Sequence, residues 1–143
     1  MKKLGFLMLA AMLTTAACVA EPATVYANSP ATEVTSEDPT EVYYFHMTRR
    51  CMTCQTVEKV AEQSIKELYP DAVKKGNLTF KSVNLEEKDN KALVKKLKIG
   101  GQTLLIVNGK DRYDITDKGF MYAVKEPEKL KAEIKLILEK YVK

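Results

Sequence analysis

The stretch from Glu41 to Leu68 constrains this chain more than any other. Glu41, Val42, Tyr43, Tyr44, Phe45, His46 and Met47 form a β-branched and aromatic run with scarcely a polar break. That is the pattern of a strand covered on both faces. Thr48, Arg49 and Arg50 lead at once into Cys51-Met52-Thr53-Cys54. Behind the cysteines, Val57, Val60, Ala61, Ile65 and Leu68 recur at offsets of three and four, which predicts a helix. Tyr69-Pro70-Asp71 ends it, because proline disfavours helical geometry in the residue before it. A strand buried on both faces needs cover above and below, so the expected product is a layered α/β domain with this strand at its centre.

The later segments supply the layers. Leu78 to Leu85 reads as a second strand, and Asp89 to Leu97 as a short helix with Ala92, Leu93 and Leu97 inward, stopped by Gly100-Gly101. Thr103 to Val107 is a third strand. Asn108-Gly109 is the preferred dipeptide of a tight hairpin, with Lys110 to Ile115 returning antiparallel. Pro127 is placed to open a last helix with Glu126 and Glu128 at its positive end. Leu130, Ile134, Ile137, Leu138 and Tyr141 form that helix's apolar stripe. Strands alternating with helices early imply parallel pairing, and the late hairpin adds antiparallel edges. The expectation is a central mixed β-sheet with helices on both faces.

At 143 residues the chain holds one domain's worth of sequence, which excludes a multidomain enzyme. Its 23 basic residues exceed its 19 acidic ones, but Lys2 and Lys3 belong to an apparent export signal. The small excess that remains argues against a nucleic-acid partner. Residues 1–17 read as a signal peptide: a short basic start and then the uncharged run Leu4 to Ala17. That run is shorter than the roughly 20 residues that cross a bilayer, so no transmembrane helix is expected. Cys18 after Thr15-Ala16-Ala17 resembles the lipidated cysteine of bacterial lipoproteins, while Cys18-Val19-Ala20 offers a competing cleavage site after Ala20. Residues 18–39, with Pro22, Pro30, Pro39 and many small polar residues, read as a flexible tether. The expected location is the cell envelope, with the protein lipid-anchored through Cys18 and facing the periplasm. The folded domain is expected over residues 40–143.

The cysteine pair carries the chemistry. A strand-to-helix junction places Cys51 near unpaired backbone N–H groups and the positive end of the dipole, both of which favour a thiolate. Arg49 and Arg50 add charge there, and Arg50, the nearer, is expected to stabilise the thiolate. Cys54, three residues on, falls on the same side of the first turn. The outer Cys51 is therefore expected to be the exposed nucleophile and the inner Cys54 the shielded resolving thiol in thiol–disulfide exchange. A purely structural bridge is the alternative, but a loop this short stabilises a fold little. If Cys18 is consumed by lipid, the remaining two of the three cysteines form an even pair.

With these residues in place the chain resembles the thioredoxin-like superfamily over residues 40 to 143. Tyr43-Tyr-Phe-His-Met-Thr-Arg-Arg-Cys-Met-Thr-Cys54 resembles more closely a lipid-anchored bacterial group, the nitrophenyl compound nitroreductase subunits. The resemblance implies a thioredoxin-like α/β fold and a protein disulfide or dithiol as partner. Three departures stand out. Gln102 occupies the place of the cis-proline that faces the cysteines in thioredoxins, and a trans peptide is expected there because a non-proline cis bond costs about 2.5–4 kcal/mol. Gln102 is thus counted with Cys51, Cys54 and Arg50 as a candidate catalytic residue. The buried aspartate that assists the resolving thiol falls near Tyr44 or Phe45, with His46 as a substitute proton acceptor. The tryptophan before the first cysteine is Arg50.

Two other functions compete. Without the proline to crowd the sulfurs, Cys51 and Cys54, joined by His46, form a candidate site for copper(I), zinc or trivalent arsenic, although structural zinc prefers four ligands. The family name implies an accessory subunit of a nitroreductase-like complex. The chain has no dinucleotide glycine fingerprint and little room for a flavin domain, so no cofactor of its own is expected. Phe120, Met121 and Tyr122 beside Gly119 are read as packing rather than as a substrate rim.

Overall fold

The computed structural model describes residues 38–142. The signal peptide over 1–17, Cys18 and most of the tether over 18–39 lie outside the described residues. Strand β1 (Thr40–His46) pairs in parallel with β2 (Leu78–Asn84) and antiparallel with β3 (Thr103–Asn108). A tight turn joins β3 antiparallel to β4 (Asp111–Asp114), giving the order β2-β1-β3-β4. The apolar run at residues 41–47 thus becomes a central strand, as its composition requires. Strand β4 has only four residues, of which Asp111, Arg112 and Asp114 are exposed.

The parallel crossover from β1 to β2 runs through α1 (Met52–Leu68) and α2 (Pro70–Lys74). A 3₁₀ turn at Lys88–Asn90 leads into α3 (Lys91–Lys96), and α4 (Thr116–Tyr122) and α5 (Pro127–Leu138) follow the hairpin. Strand alternation divides the core. Val42 and Tyr44 of β1, with Leu104 and Ile106 of β3, pack against Val57, Ala61 and Ile65 of α1 and Leu130, Ile134 and Leu138 of α5. Tyr43, Phe45, Leu105 and Val107 face the other way, onto Leu93 and Val94 of α3 and the neighbouring Leu97 and Ile99. Each fully buried aliphatic side chain contributes about 1.5–3 kcal/mol. The mixed sheet between two helical layers is a thioredoxin-like α/β fold.

Four local features differ from the sequence expectation. Pro70 ends α1 and also opens α2, where its fixed φ and missing N–H suit the first helical position. The segment after the hairpin is helical: the Asp114 carboxylate accepts hydrogen bonds from the backbone N–H and hydroxyl of Thr116, ordering the start of α4. Gly119 lets α4 close on the core, since a Cβ there would stand 3.1 Å from Val57 and 3.4 Å from Leu104. The hairpin turn is Gly109-Lys110 rather than Asn108-Gly109, because Asn108 is still paired with Asp111. Gly109 has φ +55 and Lys110 a negative φ, so the glycine takes the first central position, as in a type II′ turn. Asn108 is drawn into the ladder by hydrogen bonds from its buried amide to the Asp38 carbonyl and the Thr40 hydroxyl. Finally, Ala92 faces solvent, and Val94 joins Leu93 against the sheet instead.

Candidate redox site

The site lies at the C-terminal end of β1, beside the start of β3, where Phe45 pairs with Thr103. Carboxyl ends of parallel strands are where open α/β sheets place their ligands. The loop after β1 is tied to β2 and its exit: the Thr48 N–H donates to Glu86 at 2.7 Å, and the Asn84 amide donates to the Thr48 hydroxyl at 3.0 Å. His46 is buried at the end of β1, with Nδ1 2.9 Å from the Met47 carbonyl and Nε2 2.9 Å from the Ser82 hydroxyl. In the neutral ring Nδ1 must carry the hydrogen, since a carbonyl only accepts. Its two nitrogens are thereby occupied in fastening β1 to β2.

Cys51 is the N-cap of α1, with extended backbone and its sulfur accepting from the Cys54 N–H at 3.4 Å. The first turn of α1 has no acidic residue to compete for the positive end of the dipole. Cys51 is exposed and Cys54 buried, and their sulfurs are 2.9 Å apart as free thiols. The Cys54 thiol hydrogen has a second acceptor, Gln102 Oε1 at 3.2 Å. Hydrogen bonds from the Cys54 thiol and the Cys54 backbone N–H hold the Cys51 pKa below that of an ordinary thiol, with smaller help from the Thr53 N–H. Burial, and then the neighbouring Cys51, push the Cys54 thiol up. One sulfur is thus set up as an accessible thiolate and the other as a protected thiol in contact with it.

The structure brings Cys51, Cys54 and Gln102 together, and among the described residues there is no cis peptide, so Gln102 is trans. Arg50 is elsewhere. Its guanidinium donates to the Glu58 carboxylate one turn beyond Cys54, and the thiolate is favoured by helix N–H groups and the second thiol instead. Arg49 is exposed. His46 does not join the sulfurs, and among the described residues no three His, Cys, Asp or Glu side chains converge on a point that could hold a metal ion. Two residues escaped sequence reading. Glu58 sits four residues after Cys54 on α1, a spacing that marks a neighbour on the same helix face. Tyr44, where the aspartate of the resembled family falls, is buried on the face covered by α1, which strand alternation with Val42 assigns to it, and its phenol bears on the acidity of the Cys54 thiol.

No protein-family model matches the chain, and no curated protein matches it. Solved thioredoxins are similar to it. Oxidized thioredoxin O2 from Arabidopsis thaliana is 19% identical with a TM-score of 0.48, over 74% of this chain and 77% of that one. Chloroplastic thioredoxin z is 23% identical with a TM-score of 0.43, over 73% and 85% respectively. Thioredoxin from Trypanosoma brucei brucei is 20% identical with a TM-score of 0.42, over 75% and 81%. What makes the fold thioredoxin-like is its strand order, its pairing directions and its two helical layers.

Proposed function

We propose that this protein is a thiol–disulfide oxidoreductase. The observation that carries this reading is the exposed N-cap Cys51 in contact, at 2.9 Å, with the buried Cys54. Cys51 thiolate attacks one sulfur of a partner disulfide, and the other partner sulfur leaves as a thiolate that takes a proton from solvent. Cys54 then attacks Cys51 and closes the internal disulfide, releasing the second partner thiol. The partner is reduced by two electrons as the pair is oxidised, and the reverse sequence oxidises a dithiol. Gln102, hydrogen-bonded to Cys54 where thioredoxins carry proline, holds the resolving thiol in place between cycles.

A Cys54→Ser variant tests this directly. It is expected to accumulate a mixed disulfide through Cys51, visible as an added mass that dithiothreitol removes, whereas Cys51→Ser yields none. Absence of any adduct, with no exchange by the unmodified protein, overturns the reading. The trapped species also names the partner class; the Tyr43–Cys54 resemblance makes a nitroreductase-like complex receiving electrons from this chain one such class. For location, our reading is export and lipid attachment at Cys18, facing the periplasm. Intact mass of membrane-extracted protein is expected to show the diacylglyceryl group; an unmodified chain beginning at Glu21 refutes it.

A further inference from the structure

Tyr44 is wholly buried, and its hydroxyl has no hydrogen-bond partner of good geometry. Buried hydroxyls are nearly always paired, because an unpaired one forfeits its hydration without return. The ring belongs to the cluster that includes Val57, one turn after Cys54 on α1, and Tyr44 pairs in the sheet with Leu104, two residues from the Gln102 that accepts from the Cys54 thiol; the phenol and the Cys54 thiol also bear on each other's acidity. The other charged groups facing it are Glu58 of α1 and Arg50 of the preceding loop, which pair with each other. In the resting state the single Cys54 hydrogen is shared between Cys51 and Gln102. A neutral thiol sulfur is then a weak acceptor for the phenol, whereas a thiolate is a strong one.

We propose that Tyr44 is a further catalytic residue, whose hydroxyl donates a hydrogen bond to the Cys54 sulfur as that sulfur attacks the mixed disulfide. This rests on the exchange reading given above. In the step concerned, a bond forms between the Cys54 and Cys51 sulfurs and the bond from Cys51 to the partner sulfur breaks. The electron pair leaves on the partner sulfur, and the proton that Cys54 gives up to solvent is matched by the one that sulfur takes. Tyr44 lends a hydrogen bond and keeps its own proton, so it is unchanged at the end. Burial, then the adjacent Cys54 and Glu58, raise the phenol's pKa, which keeps it a donor throughout the working range of the dithiol. The orphaned hydroxyl of the resting state is thus the prepared donor of the reacting one.

The test is full-length Tyr44→Phe reacted in its reduced form with 5,5′-dithiobis(2-nitrobenzoate). Attack by Cys51 releases one coloured thiolate, and resolution by Cys54 releases a second. The expected result is an unchanged first phase and a second phase slowed about tenfold, with its pH profile moved upward, a factor of ten corresponding to one pKa unit. A second phase equal to that of the unmodified protein overturns the proposal. So does equal slowing of both phases, which marks a general disturbance of the domain. If the unmodified protein releases neither thiolate, the exchange reading itself has failed, a result separable from failure of Tyr44 alone.

Discussion

Cys51 and Cys54 are chemically identical side chains one helical turn apart, and the fold pushes their acidities in opposite directions. Cys51 receives the Cys54 thiol hydrogen and a helix N–H, and Cys54 is desolvated. The alkylation rate of Cys51 against pH is therefore expected to show a midpoint below the ordinary thiol value of about 8.5. Cys54→Ala, by removing the strongest of its hydrogen bonds, should move that midpoint up. The linkage sign follows: a thiol acidified by folding favours the folded reduced state above its unfolded pKa, and that preference is lost as pH falls through the folded value. Tyr44→Phe should raise the stability of the reduced form by roughly 1 kcal/mol in urea denaturation, because it deletes a buried hydroxyl with no partner. The sequence made the exposure and contact of the two cysteines legible, since capping position and three-residue spacing determine both. It misdirected Arg50, because proximity along the chain does not reveal that Glu58 lies within reach on the next turn.

At the scale of elements, long apolar patterns were read well and short helices poorly. Strands β1 to β3 and helix α1 fall within a residue or two of their sequence limits, because each has a stripe or a run that only one geometry can bury; α5 opens at Pro127 as its pattern predicts but ends at Leu138, three residues before Tyr141, whose ring still packs on the core from the turn that follows. Helices α2 and α4 have five and seven residues, too few for a periodicity to declare itself. What places α4 is an aspartate two residues upstream of Thr116 and a glycine at the contact, and the latter reads in sequence as a breaker. Gly119→Ala is expected to cost about 1–3 kcal/mol, because the added methyl meets Val57 and Leu104 in a packed core. Thermal unfolding checks this, and Gly100→Ala, where nothing lies within 4 Å of the added carbon, is the control.

Over the whole domain, the sheet separates two apolar layers that share only its strands. Ile134→Val in the α5 layer should cost about 0.5–1.5 kcal/mol and Leu105→Ala in the α3 layer about 2–5 kcal/mol. Combined, they should add to within about 0.5 kcal/mol, as non-contacting sites do, in a single cooperative urea transition. Two transitions, or a strong departure from the sum, would show that the layers respond as separate or coupled bodies. Both layers leave the mouth of the site open at one end of the sheet, beyond the last residues of β1. The outermost strand beside β3 bears on how visitors arrive. With Asp111, Arg112 and Asp114 along four residues, it offers an approaching polypeptide charges in place of a long bare ladder. Growth into ribbons or fibrils by lateral stacking is thereby discouraged on that flank.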